Sequence, residues 1–325
     1  MNNLYPSLAG SIKSATISSD PDCSGNLRDY YIKTAFNACS GGAYKNDFVE
    51  ICNLKSILKQ GVRGIDLEIY SVGDEPVVSS STQQDNYYVK ETYNTVPFSQ
   101  VIDVLRNYAF SISTAPNPDD PIFLHLRIKS NNQSIYSKMA AMFKSNDDLM
   151  LGNDYSFENY GRNIGDTPLS KLRGKIVIIV DKLNNAFLDN KDFLEYVNLT
   201  SNSIFMRAYQ YAQVKNTPDI NELQDYNRKN MTIVLPDVTG DPNPPNPSGI
   251  LCRETGCQMI AMRYQIVDNF LEENTAFFDN AGYAFVLKPE RLRYVEVKID
   301  KPTPQNPALS YETRTVVKDY YSFNF

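Results

Sequence analysis

An α/β fold, and within it a closed (β/α) barrel made of two sequence halves, is what this chain predicts, on three observations. Strand and helix patterns alternate at the spacing of βα units. The strands are apolar on both faces, which suits a parallel sheet covered by helices. The length of 325 residues is enough for one large barrel or two ordinary domains, with a sizeable core.

The elements follow in chain order. Residues 49–59 carry Ile51, Leu54, Ile57 and Leu58 at helical spacing and stop before Gly61. The strand GIDLEIY (64–70) comes at once, with Ile65, Leu67 and Ile69 on one face and Asp66 and Glu68 on the other. VPFSQVIDVLRNYAF (96–110) reads as an amphipathic helix, PIFLHLRI (121–128) as a strand, SIYSKMAAMFKS (134–145) as a helix, and KIVIIV (175–180) as the strand closing the first half. The second half offers MTIVLP (231–236), GCQMIAMRY (256–264) and AFVLKP (284–289) as strands, with a short helix near residues 267–273. DVTGDPNPPNPSG (237–249) is proline-rich and reads as a loop, and no internal repeat is visible. The expected organisation is an N-terminal extension (1–29), a first barrel half (30–183), a linker with the start of the second half (184–230), the second half (231–295) and a C-terminal extension (296–325).

Composition narrows the function. An apolar fraction of 42% and a charged fraction of 22% describe an ordinary globular protein, and a net charge of -6 without any basic run argues against a nucleic-acid or anionic-membrane partner. No apolar run approaches the roughly 18 residues of a membrane span, and the first residues lack the pattern of a secretory signal. An intracellular soluble location is therefore expected. Cys23, Cys39, Cys52, Cys252 and Cys257 show no metal-binding spacing and are expected to be reduced and mostly buried.

Asp66 and Glu68 are the most informative residues. Two carboxylates side by side on a buried strand need a cation, a solvated cleft or a raised pKa. His125, the single histidine, shares the parity of Arg127 on its strand. It reads either as a relocated base or as a neutral hydrogen-bonded residue of the barrel interior, and the second is favoured because no nucleophile is seen to accompany it. Ser79, Ser80 and Ser81 cluster without a triad and read as polar loop.

Several strings then carry a family resemblance. KSILKQGVRGIDLEIY followed by DEPVV, then PFSQVIDVLRNYAF, PIFLHLRIKS and LSKLRGKIVII, resemble in order the X region of eukaryotic phosphoinositide-specific phospholipase C. ETGCQMIAMRYQ and NAGYAFVLKPERLR are similar to its Y region. The resemblance implies a TIM-type barrel of the phospholipase C-like phosphodiesterase fold. It also implies two catalytic histidines and a calcium ion held by one asparagine and three carboxylates.

Carried over residue by residue, that chemistry mostly fails. Phe36, in TAFNACS, stands where the first histidine is expected, and Ser80 where the second is. Asn37 matches the metal-ligand asparagine, and Asp66 and Glu68 match two acidic ligands with their types exchanged. Arg127 takes the place of the third carboxylate. Ile179 and Asp181 align with substrate-binding lysines, and Ile233, Val234, Leu235 and Pro236 with the segment that binds the inositol headgroup.

A well-placed imidazole is worth about 10²- to 10⁴-fold in rate, so phosphodiester cleavage is expected to be lost. Arg127 is expected to replace the calcium ion with the same net charge at the site, leaving no cofactor. The resulting expectation is a catalytically inactive barrel acting as a structural or interaction protein. The sequence shows no lipid-targeting, EF-hand or C2 module of the kind that flanks this barrel in the family. Protein partners in a larger assembly are therefore expected to position it, and asparagine richness extends the reading to a minor structural protein of a virus particle. The alternatives are a module that binds a phosphoinositide or membrane headgroup, and an active phospholipase with a rearranged site.

Overall fold

The structure, a computed structural model, describes residues 12–42, 47–84, 87–90, 92–238, 245–296, 302–306, 309 and 312–325. Two compact units are present, Met1–Tyr294 and Val295–Phe325.

In the first unit the chain order is β1 (Tyr30–Ala35), α1 (Ile51–Lys59), β2 (Gly64–Val72), β3 (Glu75–Ser79), β4 (Ser81–Gln84), β5 (Tyr87–Lys90), β6 (Val96–Pro97), α2 (Phe98–Val104), β7 (Ile122–Ile128), α3 (Gln133–Lys144), α4 (Ser156–Tyr160) and β8 (Ile176–Asp181). It continues with α5 (Lys191–Leu194), β9 (Leu199–Ser201), β10 (Met206–Gln210), α6 (Tyr211–Lys215), α7 (Ile220–Lys229), β11 (Met231–Leu235), α8 (Gly249–Glu254), β12 (Met259–Met262), α9 (Asn269–Ala281) and β13 (Phe285–Leu287). The second unit holds β14 (Thr315–Lys318) and β15 (Tyr321–Asn324).

Strands run in the order β10-β11-β12-β1-β2-β7-β8-β9, all parallel, a nearly closed eight-strand barrel. Period-two alternation sorts its side chains. Ile65, Leu67, Ile69, Leu124, Leu126 and Ile128 face outward and pack with helix residues such as Leu54, Val101, Met139 and Phe143. Ile32, Phe123, Val177, Ile179, Met206, Met231 and Met259 fill the interior. Gly64 lies opposite Thr34 where β1 and β2 approach, and a Cβ there would come within 2.3 Å of the threonine hydroxyl.

Several expectations change. The helix expected over 96–110 is α2 followed by a turn of π-helix, Leu105–Ala109. The strand expected at 256–264 is only β12, and the helix near 267–273 extends through α9, capped by the Asp268 side chain and closed at Gly282 in the left-handed region. AFVLKP forms β13, which pairs antiparallel with β1 rather than joining the parallel barrel; apolar patterning does not encode strand direction. Within 184–230, read as a linker with the start of the second half, lie β9, β10, α6 and α7. Part of the loop expected at 237–249 and of the N-terminal extension lies outside the described residues. All five cysteines are free, with Cys52 exposed and the others buried.

Among the buried cations at the base of the barrel, where strands begin, Arg28 pairs with Asp166, while Arg63 and Lys288 rest on neutral oxygens. Arg63 donates from Nη1 to the carbonyl of Ala109 (2.9 Å) and from Nη2 to the carbonyl and side-chain oxygen of Asn117. Lys288 donates from Nζ to the carbonyl of Asn227 (2.9 Å). Among the described residues, no helix is long and apolar enough to cross a membrane.

Candidate functional site

The opposite end of the barrel gathers the residues singled out by the sequence. Asp66 and Glu68 both point inward from β2, and the parallel register sets Asp66 beside His125 and Glu68 beside Arg127 on β7. All four are buried. β1 delivers Phe36 and Asn37 just past its end, with Asn37 at φ 42°.

Arg127 is the centre of the cluster. Its Nε donates to Asp66 Oδ1 (2.8 Å) and its Nη2 to Asp66 Oδ2 (2.7 Å), a bidentate pair. Nη1 donates to Glu68 Oε1 (2.5 Å), and Nη2 also to Asn37 Oδ1 (2.7 Å). The second oxygen of Glu68 accepts from Tyr70 (3.1 Å) and Ser81 (2.6 Å). Asp66 accepts in addition from the Asn37 backbone N–H (3.2 Å) and pairs with His125 Nδ1 (2.7 Å). The Phe36 ring is in cation–π range of two guanidinium groups, with the carbons of Arg127 and Arg263 at 4.7 and 5.3 Å from its centroid.

Electrostatics follows from this geometry. Burial alone pushes the Asp66 carboxyl up, but the Arg127 charge and the hydrogen bonds from His125 and Arg127 outweigh it and hold the group well below the usual carboxylate range. Burial likewise lowers Arg127, and the charges of Asp66 and Glu68 reverse that and raise it far above its ordinary value. Lys129, two residues on, is lowered by burial and then by its neighbour Arg127.

Not every expected residue meets the cluster. Ser80 is buried against Ser40, hydroxyl to hydroxyl at 2.7 Å, and Ser79 pairs with Thr92. Ser81 is the serine that faces the mouth, and with Ser79 it belongs to strands β3 and β4 rather than to a loop. The sequence reading missed Ser201, whose hydroxyl lies 2.9 Å from His125 Nε2. Asp66, His125 and Ser201 thus repeat the spacing of a catalytic triad, yet Ser201 is 0% exposed. It has no open face toward a substrate and satisfies the imidazole instead. The only trace of it in sequence is inward parity on the short polar strand β9.

A cavity of about 260 Å³ opens above the cluster. Glu68, Arg127, Lys129, Asp181 and Arg263 line it together with Leu183, Tyr209, Leu235, Pro236 and Val238. Ile179 and Ile233, aligned earlier with substrate-binding positions, sit in the apolar interior below.

Comparison with known proteins places the fold. The family model "Phosphatidylinositol-specific phospholipase C, X domain" matches residues 23–182, and the corresponding Y-domain model matches 186–291. The chain belongs to the phosphatidylinositol-specific phospholipase C family.

Solved structures agree on the barrel. PLC21 of S. officinalis superposes with a TM-score of 0.66 at 18% identity, covering 85% of this chain and 39% of its own. PLC21 of L. pealei gives 0.65 at 19%, covering 83% and 38%. The chain therefore spans about two fifths of the length of these two relatives. A Ca²⁺-dependent phosphatidylinositol-specific phospholipase C from Streptomyces antibioticus gives 0.51 at 11%, covering 81% of this chain and 99% of its own. No curated protein is similar enough in sequence to count as a match.

The calcium ion that the resemblance implies does not fit these residues. Calcium needs six to eight oxygens at about 2.3–2.6 Å. Here the side-chain oxygens of Asn37 and Asp66 and one of Glu68 are engaged by a guanidinium placed between them. An ion could bind them only by expelling Arg127 into the cavity, leaving its charge against its own.

Proposed function

We propose that this chain is a phosphoinositide phospholipase C barrel that has lost phosphodiester cleavage and serves as a structural or interaction protein in a larger assembly. The observation that carries this reading is Arg127, whose guanidinium takes up the carboxylates on which a metal would depend. Phe36, at the position of an expected imidazole, stacks on that guanidinium and offers no proton. The test is hydrolysis of radiolabelled phosphatidylinositol and its phosphorylated forms, with and without calcium. Release of inositol phosphate no faster than from the Asp66→Ala variant is expected. Calcium-dependent release that this variant loses would overturn the reading in favour of a rearranged active site.

A second reading, headgroup binding without cleavage, is favoured by one feature: Lys129 and Arg263 are among the residues that line the mouth. Titration with soluble inositol phosphates decides it, since saturable binding weakened by Lys129→Ala supports a headgroup site and no binding leaves the scaffold reading alone. Cross-linking with mass spectrometry on the native source tests the assembly itself, a virus particle included.

A further inference from the structure

The short element α4, Ser156–Tyr160, winds the wrong way for L-residues. Phe157, Glu158, Asn159 and Tyr160 lie at φ 51°, 56°, 54° and 53°, and Gly161 follows at 71°. This is one turn of left-handed helix, in which each Cβ crowds the following carbonyl oxygen. Elsewhere among the described residues, the non-glycine residues at positive φ are Asn37, Asp74 and Asn202, types whose short polar side chains tolerate it. Phe157, Glu158 and Tyr160 have no such tolerance. Strain of this kind persists only where surrounding contacts hold it.

Those contacts lead to the barrel mouth. The Glu158 N–H donates to the carbonyl of Val197 (2.7 Å), two residues before β9. Its carboxylate Oε2 accepts from Thr200 Oγ1 (2.6 Å) and from Lys182 Nζ (2.7 Å). Asn198 Nδ2 donates to the carbonyl of Tyr155 (3.0 Å). Thr200 and Lys182 are the chain neighbours of Ser201 and Asp181, which stand opposite each other where β8 pairs with β9. The Lys182 N–H also donates to the Ser201 carbonyl (3.1 Å). Asp181 in turn accepts from the Leu183 N–H (3.1 Å) and from Asn202 Nδ2 (2.7 Å). Asp181, Leu183 and Asn202 line the cavity.

Two opposed terms act on the turn. Backbone strain at three residues favours its release. Against that stand a few bonds, and the Glu158 and Lys182 side chains are 26% and 29% exposed, where an ion pair is weak. Phe157 and Tyr160 add little, being 41% and 56% exposed. Such a segment has two arrangements near in free energy: a left-handed one that presents Glu158 to Thr200 and Lys182, and a relaxed one that withdraws it.

We propose that the turn Phe157–Tyr160 is a strained latch on the barrel mouth. Closed, it pins the ends of β8 and β9 through Glu158; released, it loosens the cavity wall of Asp181, Leu183 and Asn202 and so gates admission to the mouth. This holds whether or not the barrel cleaves phosphodiesters.

The test is hydrogen exchange of the full chain, read at residues 155–161, 181–185 and 198–203 and compared with strand β7. The three segments are expected to open together and more readily than β7. Glu158→Ala removes both bonds to the carboxylate, so exchange should quicken about tenfold or more in all three and not in β7. Tyr160→Gly and Tyr160→Ala separate strain from packing. Both delete the ring, but glycine takes the left-handed region without penalty. Its variant should exchange at least about fivefold more slowly than the alanine variant in all three segments. In a right-handed turn the order is the reverse. Movement of the wall is read at Ser201, which is buried in the parent. The thiol of Ser201→Cys should be alkylated about tenfold faster once Glu158→Ala is added, with exposed Cys52 as the internal reference. The proposal is overturned if Glu158→Ala quickens exchange at 155–161 alone, or in β7 equally. It is also overturned if alkylation of the Ser201→Cys thiol is unchanged, or if Tyr160→Ala exchanges as slowly as Tyr160→Gly or more slowly.

Discussion

The cation at the mouth of the barrel, Arg127, and two of those at its base, Arg63 and Lys288, are buried and are kept in opposite ways. At the mouth, Arg127 rests on the charged oxygens of Asp66 and Glu68 and is raised far above its ordinary value. At the base, Arg63 and Lys288 rest on neutral oxygens, the carbonyls of Ala109, Asn117 and Asn227. Burial pushes Arg63 down to about 10 and Lys288 down to about 7. The difference separates two uses of a buried charge. The cation at the mouth is required by its neighbours, whereas Arg63 and Lys288 are tolerated by theirs. Removing the first strands two carboxylates; removing the others strands only carbonyls.

The largest break should come from Arg127→Met. An uncompensated buried charge pair costs about 3–5 kcal/mol, read as a lower midpoint in urea unfolding at neutral pH. Its pH dependence should also invert. In the parent, Asp66 has a depressed folded pKa, so its stabilisation is present above the unfolded value near 3.9 and is lost as pH falls through the acid range. In Arg127→Met the carboxylates are raised instead, and mild acid should restore stability. Calcium should then stabilise Arg127→Glu, in which the acidic cage is completed, and leave the parent melting temperature unchanged. A calcium-dependent rise in the parent would falsify the guanidinium-for-metal exchange.

Lys288→Met probes the base. With a folded pKa of about 7 against an unfolded value near 10.4, the unfolded chain binds the extra proton between those limits. Parent stability should therefore rise with pH from about 7 toward about 10, by on the order of 3 kcal/mol. The methionine variant, which carries no such proton, should stay flat across that window. Equal slopes for the two proteins would show that Lys288 keeps an ordinary lysine pKa in the folded chain.

How much of this was legible in sequence depends on which force writes the pattern. Asp66, Glu68 and Arg127 were readable because period-two alternation beside Ile65, Leu67 and Ile69 fixes which face each occupies. β9 and β10 were not, because LTS and MRAYQ are too short and polar to carry an apolar signature, and their pairing comes from β8 and β11. Ser201 was hidden with them. The choice between Ser80 and Ser81 is likewise tertiary, since it depends on how the chain passes from β3 to β4 over Glu68.

A smaller effect sharpens the comparison at the base. Arg63→Met keeps the volume but leaves the Ala109 and Asn117 carbonyls without their donor, at a cost of about 2 kcal/mol. It should carry no acid-range signature, because no carboxylate pairs directly with Arg63. Acid sensitivity matching that of Arg127→Met would mean that the charges of Asp119 and Asp120 act at the base as Asp66 and Glu68 do at the mouth.

The smallest change falls on the neutral neighbour of the mouth cluster. Ser201→Ala removes the hydroxyl on His125 Nε2 while leaving the Asp66 contact on Nδ1. The loss of one buried hydrogen bond should cost about 1 kcal/mol in unfolding, well below the Arg127 effect because no net charge is exposed. The same variant tests whether the triad spacing has any chemical meaning. A nucleophilic serine would react with a fluorophosphonate probe, and Ser201→Ala would abolish the label. The burial of Ser201 implies no label in the parent, and then a modest stability loss with unchanged probe reactivity confines His125 and Ser201 to holding Asp66 where Arg127 needs it.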